Sequence, residues 1–480
     1  MLSATKTNYM QRLIIFIFLL GSFYYANCQP NFYERTYGLG RGVFIDKAMN
    51  GNYIIGANQN SFPSLQAYYF LINSYGDTIR TMNCPNSSLS CIRQTSEGGF
   101  VFIGDSGSNA ARIARVFKVD SIGNTQWNNE YPPSEWGTWG STISANFENG
   151  YFIGLVNDGD GPENTYYIIK DDSSGNNLDT SIVQYPESSF IQNPKSMLVT
   201  PDSGMIVVPT TPIFGLIRIV KLNSSLTTQW IKEYIDSTGT FELNGNSIIR
   251  INNSGYLVTG YKNPFVGILG SCGYLLKTDL SGDRVWSKEF CFPNSNIRFI
   301  SSVEDTSGNF YVSGEYYEGS ERSAILIKTN SNGDTIWTRR FSGNGYAYPK
   351  CITLDNNQNP MVIGHTTDTI SNQDFIYLIK TDTSGNITST ENLLMENKIR
   401  LNIFPNPVHS ILSISCNDSK LKCYSFILRN IIGEIIYKQE EKSSPHSLIE
   451  TIDLSLIPEG LYILETTLDG HRVVNKIVKY

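Results

Sequence analysis

Histidine is nearly missing from this chain, whose 480 residues include only His365, His409, His446 and His471. A zinc site built from several imidazoles therefore has little material to draw on, and no cofactor is expected. There is no Cys-x-x-Cys pair, no phosphate loop and no Gly-x-Ser-x-Gly elbow, so the common nucleophile and nucleotide signatures are absent too. Positive charge is also short. Lys and Arg number 37 against 44 Asp and Glu, a formal net charge of -7. Without a basic field to meet a phosphate backbone, nucleic acid is not an expected partner.

Long apolar runs are lacking as well. The longest begins at Leu13 and ends at Leu20, after Lys6 and Arg12 and before Gly21, Ser22 and Ala26-Asn27-Cys28. A positive start, a short apolar core and small residues three apart make a secretory signal over residues 1–28, with cleavage after Cys28. The run is too short for a retained membrane helix, which needs about 20 apolar residues. A lipid-anchored Cys28 is the other reading, opposed by the bulk of Asn27. No transmembrane segment is expected after cleavage.

What the chain has in quantity is glycine (40) and tyrosine (28), with 17% charged residues, a profile of loop-rich strand proteins. One phrase recurs through residues 29–394. Its clearest copy runs from Asp305 through Gly314, Ala324–Lys328 and Asn330–Asp334 to Trp337 and Phe341. The lysine after the apolar run returns at Lys118, Lys170, Lys221, Lys277, Lys328 and Lys380, at a period of about 50 residues. An earlier copy carries Asn73 at that place, which gives seven copies. Each holds four short apolar runs, and between the third and fourth sits a turn of the type Asp/Asn-x-x-Gly-Asn/Asp, as in Asp120–Asn124 and Asp279–Asp283. Glycine there supplies positive φ, and Asp or Asn bonds its own backbone. Four antiparallel strands per unit predict an all-β chain with a seven-bladed β-propeller at 29–394. Phe32–Tyr37 resembles the fourth-strand phrase and precedes the first full copy. It is expected to complete the last blade and so remove an open edge.

In such a blade the first-to-second and third-to-fourth turns share one face. The longer, unequal loops share the other, where a binding surface is expected. Trp127, Trp230, Trp286 and Trp337 sit at one repeating position and are expected to pack between blades. Trp136 and Trp139 lie in a connection on the loop face. They are the candidate ligand-binding aromatics, although capping the cleft between blades is the plainer reading. The segment Asp158–Asn164 concentrates oxygen groups but lacks the spacing of a calcium loop, so it reads as a solvated turn and no metal is assigned.

The cysteines pair by proximity as Cys84 with Cys91, Cys272 with Cys291 and Cys416 with Cys423, which in an exported chain points to disulfides. Cross-strand geometry can forbid such a bridge. Cys351 is expected to be a buried free thiol.

After Leu394 the repeat stops. Residues 395–400 form a polar link, and 401–480 alternate as a small antiparallel sandwich, immunoglobulin-like in plan. Phe404-Pro405-Asn406-Pro407-Val408 opens it. Gly433 ends an Ile-Ile-Gly turn, Asp453-Leu-Ser leads to Gly460-Leu-Tyr462, and Lys476-Ile-Val-Lys closes it. In order and spacing these residues resemble the type A sorting domain of the type IX secretion system of Bacteroidetes. One departure is Asn430, where that family has Asp, and Asn makes a similar local bond. The resemblance implies recognition by the type IX machinery and its sorting peptidase, and release of the cargo or its attachment to the cell surface. The repeat region then reads as a non-catalytic propeller that binds glycan or protein through its loop face. A sialidase-like glycoside hydrolase is the alternative, since Asp279–Trp286 looks like that family's Asp-box hairpin. It would need acids such as Asp105, Asp158 and Glu315 to converge. A surface-layer structural protein is the third reading.

Overall fold

The computed structural model describes residues 32–387 and 401–480, except 49–50, 62–63, 86, 107–112, 132–137, 146–149, 158–165, 184–193, 210–214, 237–239, 253, 265–269, 344, 417–422, 431–432, 444–447 and 469–470. The signal segment and the 395–400 link lie outside the described residues. Among those described there is no α-helix, and so none long and apolar enough to cross a membrane.

Strands over residues 41–380 form four-stranded antiparallel sheets in the manner of propeller blades, six of them from consecutive strands. In chain order these occupy 41–85, 88–131, 138–183, 194–235, 241–290 and 295–341. A seventh sheet uses only three strands from 345–380. Its fourth is Tyr33–Leu39, which pairs from Tyr33 opposite Lys380 to Thr36 opposite Tyr377 and, past a register shift, at Leu39 opposite Phe375. The first strand of each sheet touches the first strand of the next, and the seventh touches the first, so the innermost strands form an unbroken circle.

Burial explains why the runs differ in pattern. Middle strands lie between neighbouring sheets and are mostly apolar, as in Met205–Pro209 and Leu216–Leu222, which are buried along their whole length, the latter with Arg218 and Lys221 paired to Glu233 and Asp202. Outer strands wet one face and alternate, as Thr228–Ile235 does. Each interface between sheets carries its own apolar cluster. Leu257, Phe299, Phe310 and Val312 join the fifth and sixth sheets, and Leu326, Ala347, Ile352 and Val362 the sixth and seventh.

The recurring turns are built alike. Asp279 Oδ1 accepts from Ser281 N at 2.9 Å and Asp283 N at 2.8 Å, and Asp382 repeats this with Ser384 and Asn386 at 2.8 Å each. Each outer strand leans on the following turn. Trp127 Nε1 donates to Ser173 O at 3.1 Å, Trp337 Nε1 does the same to Thr383 O, and Trp286 covers Gly333. The repeated lysine reaches the same turns: Lys118 to Ser173 O at 3.4 Å, Lys277 to Ser331 O at 3.2 Å. The seam obeys this rule. Lys380 donates to Ser74 O at 2.7 Å, Tyr33 lies where other sheets have tryptophan, and Tyr37 donates to Gly76 O at 2.7 Å.

Register corrects one expectation. Asn73 opens a turn, accepting from Tyr75 N and Asp77 N at 2.9 Å, as Asp120 does from its own turn. The lysine's place in the first sheet belongs to Leu71, opposite Arg80, just as Lys118 lies opposite Trp127.

The cysteines divide. Cys272 and Cys291 form a disulfide, with Cα atoms 4.6 Å apart across the outer hairpin of the fifth sheet. Cys84 and Cys91 are both buried free thiols, which corrects the expected bridge. Cys84 packs with Leu89 and Ile92 between the first and second sheets, whereas Cys91 packs with Ile103 and Ile143 between the second and third. Residues close in sequence thus lie on neighbouring sheets and face different interfaces. Cys351 is a free, half-buried thiol whose Sγ lies 3.6 Å from Ile45 O. The side chain of Cys416 lies outside the described ones, so its expected partnership with Cys423 is not described.

The C-terminal unit has two antiparallel sheets. Leu401–Phe404, Ile411–Cys416 and Leu448–Asp453 form one. Ile435–Ser443, Cys423–Asn430, Gly460–Leu468 and His471–Lys479 form the other. Both contribute to a single core that includes Leu412, Ile414, Phe426, Leu428, Ile452 and Leu464.

Candidate functional site

Antiparallel alternation places the two short turns of every sheet on one face. The third-to-fourth turns are occupied in packing, since their carbonyls receive lysines, tryptophans and tyrosines of the preceding sheet. The opposite face bears the second-to-third hairpins and the connections between sheets. Among the described residues, its polar and aromatic side chains concentrate on the sixth and seventh sheets.

Strand alternation creates this cluster. In the sixth sheet Arg298 lies opposite Glu315, and Tyr317 opposite Arg322, so all four share one side of the sheet. In the seventh, Tyr346 and Tyr348 are two apart on the innermost strand, opposite Thr367 and His365. The exposed Arg322 binds the groups together. Its Nη1 donates to Tyr348 Oη at 2.8 Å, and its Cζ lies 5.3 Å from the Tyr317 ring centre, 5.5 Å from that of Tyr346 and 6.0 Å from that of Tyr348. Tyr317 Oη donates to Glu315 Oε2 at 2.5 Å. Burial first, and then this carboxylate, push the Tyr317 phenol well above its usual range. Arg298 stands 5.1 Å over the Tyr261 ring of the fifth sheet.

Under Tyr348, His365 stacks at 4.8 Å with an interplanar angle of 18°. His365 is 6% exposed, and burial lowers its pKa to about 4 despite the nearby Asp374 carboxylate. Asp374 accepts from Thr367 Oγ1 at 2.6 Å and Arg41 Nε at 2.6 Å. Although burial acts to raise it, these bonds hold the carboxyl below its usual range. Two buried nitrogens here, Arg298 Nε and His365 Nδ1, have no hydrogen-bond partner. The arrangement offers planar rings, guanidinium donors and one carboxylate acceptor, a set suited to binding.

The residues expected from sequence fare differently. Trp136 lies outside the described residues, as does Asp158–Asn164. Trp139 has its backbone in the strand Thr138–Ala145, opposite Val156, and its side chain is not described. Asp105 accepts from Ser88 Oγ at 2.5 Å within the second sheet, while Glu315 is engaged by Tyr317 in the sixth, so each is held locally. Sequence reasoning missed Arg298, Tyr317, Arg322, Tyr346 and Tyr348. The signal available was tyrosine alternating with small residues in Gly345-Tyr-Ala-Tyr348, a pattern other copies lack. Among the described residues no group of three or more His, Cys, Asp or Glu gathers to hold a metal ion.

In the C-terminal unit the matched motifs meet although they are about 70 residues apart in the chain. Asn406 Nδ2 donates to Lys476 O at 2.6 Å, and Asn406 Oδ1 accepts from Val478 N at 2.8 Å. Val408 N donates to Val478 O at 2.7 Å, and Tyr480 N to Val408 O at 3.1 Å. The Phe404–Pro405 and Asn406–Pro407 bonds are cis. Tyr462 Oη donates to Pro458 O at 2.7 Å, close to Gly460. Asn430 Oδ1 accepts from Glu434 N at 2.9 Å across Gly433, the bond expected of the family's Asp.

Residues 402–480 match the family model of the secretion system C-terminal sorting domain. The chain therefore carries a type IX secretion sorting domain at its C-terminus, and the protein is secreted or attached to the cell surface. No curated protein matches the chain. Many solved structures show likeness, three of which follow. A protein of unknown function from Bacteroides caccae shares 11% identity, with 64% of this chain and 95% of that one covered at a TM-score of 0.38. Sqt1 from Chaetomium thermophilum shares 8%, covering 72% and 95% at 0.42. A polysaccharide lyase of family PL25, an ulvan lyase, shares 9%, covering 75% and 99% at 0.47. At these scores they carry no argument about ligand or chemistry.

Proposed function

We propose that this is an exported binding protein, in which a seven-bladed, non-catalytic propeller at 29–394 takes a glycan or protein ligand on its loop face. An immunoglobulin-like sandwich at 401–480 directs it through the type IX machinery and its sorting peptidase. The observation that carries the binding reading is the asymmetry between the faces. Turn-face groups are spent in sheet-to-sheet packing, whereas Arg298, Glu315, Tyr317, Arg322, Tyr346 and Tyr348 form one aromatic and polar surface on the other side. Tyrosine and arginine are the side chains that dominate binding hot spots. A hydrolytic reading needs two carboxyl groups on one side of a cleft. Glu315 and Glu318 are three apart on a strand and so point to opposite sides, and Glu318 is paired with Arg340 at 3.2 Å.

The test is an array of glycans and matrix proteins probed with the full chain, Tyr348→Ala and Trp136→Ala. Retention of a ligand by the full chain and a loss of tenfold or more in Tyr348→Ala support the reading, since burying one such ring contributes about 1.5–3 kcal/mol. Equal binding by all three, or none by the full chain, would overturn it.

A further inference from the structure

Resting on the loop-face binding reading, we propose that the rim of the sixth and seventh sheets is a subsite for the anionic group of an acidic polysaccharide. Arg298 and Arg322 would grip the anion, and Tyr317, Tyr346 and Tyr348 would supply the surface on which the sugar rings lie.

The arginines differ in how their charge is met. Arg41 holds Asp374 at 2.6 Å, Arg35 holds Asp77 at 3.2 Å, and Arg340 holds Glu318 at 3.2 Å. Arg322, two residues from the Gly319-Ser320 hairpin tip, is surrounded by three tyrosines, and its one hydrogen bond goes to a phenol. Arg298 faces Glu315 across the strand pair without forming an ion pair, and Tyr317 Oη donates to one oxygen of that carboxylate. Tyr317 lies between the two guanidiniums. It is beneath Arg322 and feels the charge of Arg298. The two cations share one rim in a chain of net charge -7, and among the described residues neither forms an ion pair with a carboxylate. A planar fork with free N–H groups matches a carboxylate or sulfate.

Ring chemistry selects the polymer. Tyr346 and Tyr348 alternate on one strand and present rings in sequence, the spacing an extended chain of pyranoses can follow. Glu315 accepts from sugar hydroxyls as it does from Tyr317 Oη, and the buried Arg298 Nε lacks a partner. Carboxylate and sulfate share this recognition, so the source of the anion is left to the measurement.

Affinity electrophoresis of the full chain would use polygalacturonate, methyl-esterified pectin, dextran sulfate, neutral dextran and poly-L-glutamate. Retardation by polygalacturonate marks a carboxylate subsite, and by dextran sulfate a sulfate subsite, each with weaker binding at higher salt. Arg322→Gln and Arg298→Gln should each lose roughly tenfold or more in affinity, with unchanged melting. Arg80→Gln, which removes the same charge from an exposed site on the first sheet's outer strand, should lose less than twofold. If the three variants weaken equally, or the neutral polymers bind as well as their charged partners, the anionic subsite is overturned while glycan binding on the loop face stands. Retardation by polyglutamate alone would assign an acidic protein and overturn the polysaccharide. No retardation by any polymer would overturn the subsite, and a negative array would remove the loop-face reading with it.

Discussion

Asp171 is fully buried at the end of a strand of the third sheet, where Tyr131 Oη from the second sheet donates to its Oδ2 and its Oδ1 has no partner. Burial raises its pKa to about 6, with the neighbouring Asp172 adding to the shift and the tyrosine bond opposing it. An acid whose folded pKa exceeds its unfolded value of about 3.9 favours the folded state when protonated, so this contribution is lost as pH rises through about 6. Asp171→Asn keeps an acceptor for Tyr131 and removes the charge. It should raise stability by about 1–3 kcal/mol at pH 7.5, the gain vanishing near pH 4, as read from urea unfolding at both pH values. A gain of equal size at both would show that burial of the charge is not the cause. Individual residues of this kind were hidden in the sequence, because Tyr131 and Asp171 meet across neighbouring sheets, 40 residues apart in the chain. The loop-face rim was hidden for a related reason. Periodicity reveals what every copy shares, whereas Arg298, Arg322 and Tyr348 are what single copies add. His365 was noticed only as a rarity, and Cys84 and Cys91 show that nearness in sequence says nothing about facing.

At the level of the element, the unit that repeats is an outer strand seated on the next turn. Gly333 shows why the turn demands glycine. Its φ is +80°, and a Cβ there would come within 2.9 Å of the Trp286 ring. Gly319, on the loop-face hairpin, also has positive φ at +57° but meets nothing within 4 Å. Gly319→Ala should therefore cost about 1 kcal/mol for the backbone alone, and Gly333→Ala roughly 2–4 kcal/mol once overpacking is added. Thermal melts of the two variants check this, and equal losses would mean that Trp286 yields freely. This element was legible beforehand. The Asp/Asn-x-x-Gly turn, the tryptophan after it and the stray Phe32–Tyr37 phrase all carried the period, and the seventh sheet is completed by Tyr33–Leu39 as that phrase implied. The first copy departs from the rest because Leu71 stands in the lysine's place, and Asn73, two residues on, belongs to the turn.

For the molecule as a whole, the sorting domain and the ring are separate undertakings. Deleting 402–480 should leave the ring folded but retained inside the cell envelope, as fractionation and immunoblotting of culture fluid and cell surface would show; full delivery of the truncated chain would separate sorting from this domain. The C-terminal motifs were readable because their residues are fixed by contact with one another, Asn406 against Lys476 and Val478. The seam where Tyr33–Leu39 meets Asp374–Lys380 joins segments more than 300 residues apart, and it sets a timetable. The strand that emerges first from the ribosome is the last to find its partner. With Tyr33–Leu39 in place the seventh sheet has its fourth strand, and the first described strand of the chain is held by the last sheet of the circle.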